Sequence, residues 1–390
     1  MEKNKWTDMI YKIADSIISP LGFSTEETYK AVRSMSEDDN LLSAARLYPD
    51  LFGLPEPSYT SIMDGDIIDQ KFDKIGEGAY TKLEKAAILA VSGAVKQSGI
   101  DPGSDDVIFI LSSTKGNIHL LEAPGDYEPE RKYLWKSAEL IAKFFGNPNP
   151  VVTVSNACIS GCVAQINAKR LLESKKYRYA VVVGADMLCK FIISGFQSFK
   201  SLSTELCKPF DRDRVGLNLG EAAAAIIYAY ADNENIIPSG SLVVREGAIC
   251  NDANHISGPS RTAEGLYRCL QVLNPDPARL AFVNAHGTST VYNDDMESIA
   301  IERANLSNVP VNSLKGYFGH TLGTAGVLET IISARAIKDG IVLRSRGSSI
   351  PGTKCEVNLA LTQKETDKKS FVKMLSGFGG CNAAILFEQI

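Results

Sequence analysis

Short apolar runs alternate with segments of helical periodicity along most of this chain. Apolar runs at residues 107–111 and 180–183 predict buried strands, and residues 80–97 carry apolar side chains at helical spacing. This alternation predicts an α/β fold with parallel sheets that are covered by helices on both faces. The pattern repeats after the polar segment 231–240, so we expect two similar halves, residues 1–235 and 236–390.

Residues 151–161, VVTVSNACISG, predict a strand, a tight turn and a helix that begins at Cys158. The unpaired N–H groups and the dipole at a helix N-terminus favour a thiolate over a thiol. A sulfur presented from such a corner is a candidate nucleophile. The alternative is that Cys158 is a small buried apolar residue, which is the commoner role of a lone cysteine.

Two of the four histidines also follow predicted strands. His286 lies in FVNAHGTST and His320 lies in NSLKGYFGHT, and both turns are rich in small or hydroxyl-bearing residues. Either histidine alone could be structural. If the two halves face each other, these turns meet the Cys158 turn, and we expect one shared site.

Composition narrows the function classes. The 390 residues are 44% hydrophobic and 22% charged, as in ordinary globular proteins, and the net charge of -5 argues against nucleic-acid binding. Neither a leader peptide nor an apolar run of about 18 residues is evident, so we expect a cytoplasmic protein that does not enter a membrane. The eight cysteines form no C-x-x-C pair, so no metal site is expected.

Five motifs occur in a fixed order and carry a family resemblance. They are NACISG around Cys158, CKPFDRDRVGLNLGE (207–221), FVNAHGTST (282–290), KGYFGHTLGTAGVLE (315–329) and SGFGGCN (376–382). On these motifs the chain resembles the β-ketoacyl-acyl-carrier-protein synthases, condensing enzymes of the thiolase superfamily with a Cys-His-His site. The resemblance implies a thiolase-like fold, with two similar α/β halves in a layered α-β-α-β-α arrangement.

The resemblance also implies a reaction. Cys158 would take an acyl group as a thioester, and His286 and His320 would donate hydrogen bonds from Nε2 to the enolate formed when a malonyl thioester loses CO₂. The backbone N–H groups of Cys158 and Phe378 would form the oxyanion hole. The product would belong to fatty-acid, polyene or polyketide biosynthesis.

Further residues receive roles only through this resemblance. Lys315 and Glu329 would form a charged pair that orients the site, although a purely structural salt bridge is an equally good interpretation. A second set of residues would contact the substrate. The hydroxyls of Thr288 and Thr290 would hold the pantetheine amides, and the rings of Phe196 and Phe199 would line the acyl pocket. Phe378, which lies between two glycines, would gate the entry of the acyl chain.

The implied partner is an acyl carrier protein, which delivers the substrate on its phosphopantetheine arm, and no bound cofactor is expected. A carrier protein is acidic, so Lys200, Lys208, Arg212 and Arg214 are candidates for the docking surface, although they could equally form an ordinary solvated face. The chain would pair as a homodimer or as a heterodimer with a related subunit.

Two other functions remain open. Cys381 stands where relatives usually carry threonine, which suggests a thiolase-type CoA acyltransferase with a second cysteine as acid and base. The motif that holds Lys315 and His320 argues against that interpretation. A non-catalytic partner subunit is the other alternative, and Cys158 argues against it. The charged segment 122–133 matches the family poorly, so chain-length preference stays open.

Overall fold

The computed structural model describes residues 9–38, 43–256 and 258–390. The strands are β1 (Met9–Ile18), β2 (Arg46–Tyr48), β3 (Ser58–Ser61), β4 (Val107–Ser112), β5 (Val152–Val154), β6 (Tyr179–Asp186), β7 (Leu219–Gly220), β8 (Ala222–Ala231), β9 (Leu242–Asn251), β10 (Leu280–Asn284), β11 (Pro310–Asn312), β12 (Ile341–Val342), β13 (Asn358–Leu359), β14 (Lys364–Glu365), β15 (Ser370–Gly377) and β16 (Cys381–Gln389). The helices are α1 (Thr25–Glu37), α2 (Gly65–Phe72), α3 (Lys82–Ser98), α4 (Leu134–Phe144), α5 (Ser160–Glu173), α6 (Lys190–Ser198), α7 (Glu264–Leu273), α8 (Val291–Arg303), α9 (Lys315–Phe318) and α10 (Ala325–Lys338).

Two halves of identical topology form the central sheet. Its 11 strands lie in the order β13-β11-β10-β15-β16-β9-β1-β8-β6-β4-β5. Each half contributes five strands, and β13 is an additional short strand at one edge. Numbered in chain order within its half, each set of five has the order 3-2-4-5-1: β5-β4-β6-β8-β1 in the first half and β11-β10-β15-β16-β9 in the second. Tyr11 of β1 lies opposite Val243 of β9, where the halves join. The predicted repeat of two similar α/β halves is confirmed.

The strand directions differ in part from the prediction of parallel sheets. β4 is parallel to β5 and β6, but β8 is antiparallel to β6 and β1, and β16 is likewise antiparallel to β15 and β9. The side chains of β8 are buried on both faces, which makes the strand as continuously apolar as a parallel one. An apolar run therefore indicates that a strand is buried, but it does not indicate whether the strand is parallel or antiparallel to its neighbours.

Helices cover both outer faces of the sheet and fill the space between the halves. Ile166 of α5 and Ile331 of α10 share a core with Ile226 of β8 and Ile385 of β16. Helices α2, α3 and α4 pack on the outer face of the first half, and α7 and α8 pack on that of the second. The order of layers is therefore α-β-α-β-α, as expected.

The two central helices touch at glycines. A Cβ on Gly161 of α5 would lie 2.8 Å from the backbone nitrogen of Val327, and one on Gly326 of α10 would lie 2.4 Å from that of Cys162. Only glycine allows backbones to approach this closely without a shift. The contact places the start of α5, next to Cys158, beside the segment that follows His320.

Three boundary predictions need correction or comment. The helix expected to begin at Cys158 begins at Ser160, because the turn extends two residues further. The segment 122–133 is anchored as well as exposed, since the buried Arg131 guanidinium pairs with Glu84 at 2.6 Å. The division into 1–235 and 236–390 stays a prediction, and residues 1–8 and 39–42 lie outside the described residues.

Across the described ranges, no helix has the length and apolar character needed to cross a bilayer.

Candidate active site

Cys158 lies in a tight turn between β5 and α5. Ala157 has φ +44, a left-handed conformation that is uncommon for alanine and compresses the turn. The Ser160 hydroxyl secures it, because it accepts the Asn156 N–H at 2.8 Å and donates to the Ala157 carbonyl at 2.7 Å. The turn places Cys158 in the wall of a cavity of about 520 Å³.

Two buried carboxylates shape the turn that carries His286. Glu297 of α8 accepts the N–H groups of His286 and Gly287, each at 2.7 Å, and Asp294 accepts the Thr288 N–H at 3.0 Å. Burial raises the pKa of Glu297 to about 7 and that of Asp294 to about 6, while these backbone hydrogen bonds oppose the rise. Sequence reasoning missed both residues; buried acids in the first turns of the next helix were the available signal.

The His320 ring is oriented by its own backbone. The Leu322 N–H donates to Nδ1 at 3.2 Å, so the neutral ring carries its proton on Nε2. The Asp186 carboxylate accepts the Gly323 N–H at 2.7 Å and fixes the following turn. Nε2 of His320 is buried without a hydrogen-bond partner among the described residues, so its proton is available to a substrate.

The sulfur and the two imidazoles converge as the sequence predicted. The Cys158 sulfur and the ring nitrogens of His286 and His320 all lie within 4.8 Å of one another. The two rings meet edge to face, with centroids 4.9 Å apart and planes at 82°. All three residues are buried and line the same cavity.

The expectation of a thiolate at Cys158 is wrong for the resting site. Burial raises the pKa of the Cys158 thiol to about 12, and Cys381 acts in the same direction. Lys315 and a backbone hydrogen bond from Phe378 only partly oppose this effect. The sulfur therefore rests as a thiol, and attack on a thioester requires that a neighbouring base accept its proton.

Both histidines are held neutral. Burial lowers the pKa of His286 and of His320 well below 6.5, and the nearby Lys315 lowers each further. A neutral imidazole can donate one hydrogen bond and accept another. His320 can therefore only donate, because the Leu322 N–H occupies its Nδ1, whereas His286 can also take up a thiol proton.

The structure places two lysines, rather than one, against Glu329. Nζ of Lys315 pairs with Oε1 of Glu329, as the sequence predicted, and Nζ of Lys373 lies 2.6 Å from Oε2. All three side chains are buried. Sequence reasoning missed Lys373; a lysine amid apolar neighbours on both sides of a strand was the signal. Both ammonium groups lower the pKa of Glu329 and keep it ionised.

The remaining predicted residues lie along the cavity wall. The hydroxyls of Thr288 and Thr290 are 2.8 Å apart, and both residues line the cavity. The Phe378 ring packs against Phe196 and Phe199, with centroid distances of 5.7 and 5.1 Å. These five side chains share one cavity with Cys158, although their roles stay predictions.

One predicted docking residue is wrong. Arg214 is buried, and its guanidinium lies 2.6 Å from Asp295, so it cannot meet a partner protein. Lys208 pairs with Glu205 at 2.7 Å on the surface, and Lys200 lines the cavity mouth. The basic surface near the mouth is therefore smaller than the sequence suggested.

Cys381 lies beside the nucleophile turn. Its thiol is buried and approaches the Phe378 carbonyl at 3.3 Å and the Asn156 carbonyl at 3.7 Å. Burial raises its pKa to about 11. Like Cys158, Cys381 therefore rests as a thiol.

Among the described residues, the cluster of Cys158, His286 and His320 is also the one whose donor atoms have metal-ligand spacing. The buried ammonium groups of Lys315 and Lys373 lie near these imidazoles and lower their pKa values. The same positive charge opposes a cation at this position. The cluster is better suited to an anionic reaction intermediate than to a metal ion.

Comparisons with known proteins show the family of this chain. Residues 13–231 match the family model of the β-ketoacyl synthase N-terminal domain, and residues 242–348 match that of the C-terminal domain. The 3-oxoacyl-[acyl-carrier-protein] synthase 2 of Rhizobium meliloti (strain 1021) is 32% identical over 261 residues, which cover 62% of this chain and 61% of that protein. A Streptomyces cyaneus protein assigned as polyketide β-ketoacyl synthase 1 is 28% identical over 363 residues, covering 81% and 85%.

The fold has close counterparts among solved structures. The ishigamide ketosynthase/chain length factor matches with a TM-score of 0.84 at 23% identity, covering 99% of this chain and 100% of that chain. The chain spans about three fifths of the length of the first curated relatives that it matches.

Proposed function

The chain belongs to the β-ketoacyl synthase family, and from that premise we propose that it joins an acyl group held on Cys158 to malonyl-acyl-carrier protein by decarboxylative Claisen condensation. One observation carries the proposal. The Cys158 sulfur and one ring nitrogen each of His286 and His320 lie within 4.8 Å of one another, and the three residues line one cavity. A thioester carbon on that sulfur would lie beside two neutral hydrogen-bond donors.

The first half-reaction loads the enzyme. The Cys158 thiol passes its proton to a neighbouring neutral imidazole and attacks the acyl thioester, forming a new C–S bond. The oxyanion is held by the backbone N–H groups of Cys158 and Phe378. When the intermediate collapses, the pantetheine sulfur leaves with the proton, and the acyl group stays on Cys158.

The second half-reaction forms the carbon–carbon bond. The malonyl carboxylate leaves as CO₂, and its electron pair becomes the enolate, whose oxygen accepts hydrogen bonds from His286 and His320. A preorganised donor of this kind contributes on the order of 10²–10³ in rate. The enolate carbon then attacks the acyl carbon, the C–S bond to Cys158 breaks, and the sulfur takes up one proton from solvent in place of the proton that left with the pantetheine thiol.

The substrate would arrive on the phosphopantetheine arm of an acyl carrier protein. Thr288 and Thr290 line the same cavity as Cys158, where their hydroxyls can meet the pantetheine amides. Phe378 and the rings of Phe196 and Phe199 would bound the acyl chain. We place this activity in the cytoplasm, in fatty-acid, polyene or polyketide synthesis, with no bound cofactor.

Mass spectrometry of the intact protein tests the proposal. After incubation with acyl-acyl-carrier protein, the wild-type chain should gain one acyl group on Cys158 and then release CO₂ from malonyl-acyl-carrier protein. Cys158→Ala should gain no acyl group, because no sulfur remains to attack. Cys355→Ala is the matched control, since Cys355 is a half-buried thiol outside the cavity, and it should be acylated normally.

Other outcomes favour the alternatives. Cleavage of acetoacetyl-CoA without decarboxylation would indicate a thiolase-type CoA acyltransferase. Neither acylation nor decarboxylation would indicate a partner subunit. The match to a ketosynthase/chain length factor structure keeps a heterodimer open beside the homodimer, and Cys158 makes this chain the catalytic member of such a pair.

A further inference from the structure

Lys373 is a buried cation in the middle of a central strand. It lies on β15, opposite Asn284 of β10, and is fully shielded from solvent. Its Nζ lies 2.6 Å from Oε2 of Glu329 and 3.2 Å from the Met374 carbonyl, with the carbonyls of Asn284 and Ala285 at 3.4 Å. All its near neighbours are acceptors, so the site is built for an ammonium group.

The lysine changes the net charge behind the two imidazoles. Lys315 and Glu329 alone would form a neutral pair, whereas two ammonium groups on one carboxylate leave one excess positive charge. An unbalanced buried charge costs free energy unless an opposite charge comes close to it. A negative charge that forms on the substrate during the reaction would be such a charge.

The other charged groups near the imidazoles do not cancel this excess. Glu297 faces His286 from α8, but its carboxylate is occupied by the N–H groups of His286 and Gly287. Asp186 faces the His320 turn from β6 and is occupied by the Gly323 N–H and the turn at Thr114. Burial raises the pKa of Glu297 to about 7, so this acid is only partly ionised near neutral pH. Asp186, whose pKa burial raises to about 6, stays largely ionised, and the N–H groups of Thr114 and Gly323 balance its charge locally.

We propose that Lys373 is a positioning residue: it holds Glu329, and through it Lys315, and it supplies the excess positive charge that stabilises the enolate held by the two histidines. This inference rests on the proposed condensation. The enolate bears the negative charge of the second half-reaction, next to the imidazoles. The oxyanion of the first half-reaction is held instead by backbone N–H groups, so Lys373 should matter less there.

Two variants separate charge from hydrogen bonding. Lys373→Met removes both, and Lys373→Gln keeps a donor toward Glu329 without the charge. In both, the pKa values of His286 and His320 should rise by on the order of one pH unit, because a nearby positive charge has gone. The measurement is an NMR titration of histidine side chains, which is simple here because the chain has four histidines.

Kinetics supply the second readout. Malonyl decarboxylation should fall by about tenfold or more in both variants, while acylation of Cys158 by a small acyl thioester should change by less than about threefold. Lys315→Met tests the same charge from the other side: with Lys373 and Glu329 left as a neutral pair, the pKa values of both histidines should rise, as in Lys373→Met. This arm stays informative if the Lys373 variants fail to fold.

Unchanged histidine pKa values in folded Lys373 variants would overturn the inference, as would equal losses in both half-reactions. So would unchanged histidine pKa values in folded Lys315→Met. Failure of the proposed function looks different. A wild-type protein that never decarboxylates a malonyl thioester would remove the condensation, while the histidine titrations would still report whether Lys373 carries the charge.

Discussion

At the scale of single residues, one backbone hydrogen bond decides what His320 can do. The Leu322 N–H occupies Nδ1, so the ring can present its proton only from Nε2. If His320 became an imidazolium, Nδ1 would gain a proton that faces the Leu322 N–H, and this contact would turn repulsive. Burial and the backbone therefore favour the same neutral form.

This preference predicts the acidic limb of the pH–rate profile. Both histidines have pKa values well below 6.5, and the reaction needs them neutral, so malonyl decarboxylation should stay constant as the pH falls from about 8 through 6.5. Activity should be lost only at lower pH, as the depressed pKa values are reached. Initial rates of CO₂ release, measured between pH 8 and pH 6.5, check the prediction. A loss of half the activity at or above pH 6.5 would contradict it.

Stability would be a poor substitute readout over the same range. Because the folded-state histidine pKa values are depressed, their contribution to the free energy of unfolding is present above about 6.5 and is lost as the pH falls. The pKa of Glu297 is raised to about 7, so its contribution is present at low pH and is lost as the pH rises through 7. The two effects oppose each other, whereas the rate reports the histidines directly.

At the scale of elements, the site depends on how closely α5 and α10 approach. Cys158 precedes α5, and His320 precedes α10, so the separation of the two helices sets the distance from sulfur to imidazole. The helices touch through Gly161 and Gly326, where a Cβ on Gly326 would lie 2.4 Å from the Cys162 nitrogen. The obstacle is backbone, which cannot rotate away.

Gly326→Ala should therefore destabilise the protein by about 1–3 kcal/mol, as overpacking does, and lower both half-reactions together. Gly195→Ala is a matched control, because Gly195 also lies within a helix but a Cβ there would meet nothing within 4 Å. That variant should be neutral or slightly stabilised, since alanine favours a helix. Chemical denaturation of the two variants measures the difference, and similar stabilities would refute the close contact.

Elements with strong local signals were predictable from the sequence, and those set by tertiary contacts were not. The strand predicted before His286 is present at Leu280–Asn284, because a buried apolar run ends there in a polar turn. Cys158, His286 and His320 were found because each follows such a run. Lys373 was not found, because only its distant partner Glu329 explains a lysine inside a strand.

At the scale of the whole molecule, the sheet ends in two unlike edges. One is β13, a strand of two residues, and the other is β5, which is paired only with β4 among the described strands. Val152 and Thr153 of β5 are partly exposed and apolar or β-branched, which is typical of an edge that pairs with another chain. β5 ends at Val154, four residues before Cys158. Pairing of this edge with another chain would therefore take place next to the active-site turn.

We therefore expect this chain to dimerise through β5, whether with itself or with a related subunit. Val152→Lys and Thr153→Lys place a charge at the edge and should convert the dimer to monomer, because an unpaired lysine is costly to bury in an interface. Asn358→Lys, on the opposite edge, is the control and should leave assembly unchanged. Size-exclusion chromatography with light scattering measures the result.

Dimers that survive both β5 variants, or that dissociate in the control, would place the interface elsewhere on the molecule. Loss of acylation together with dissociation would show that pairing at β5 supports the turn that holds Cys158.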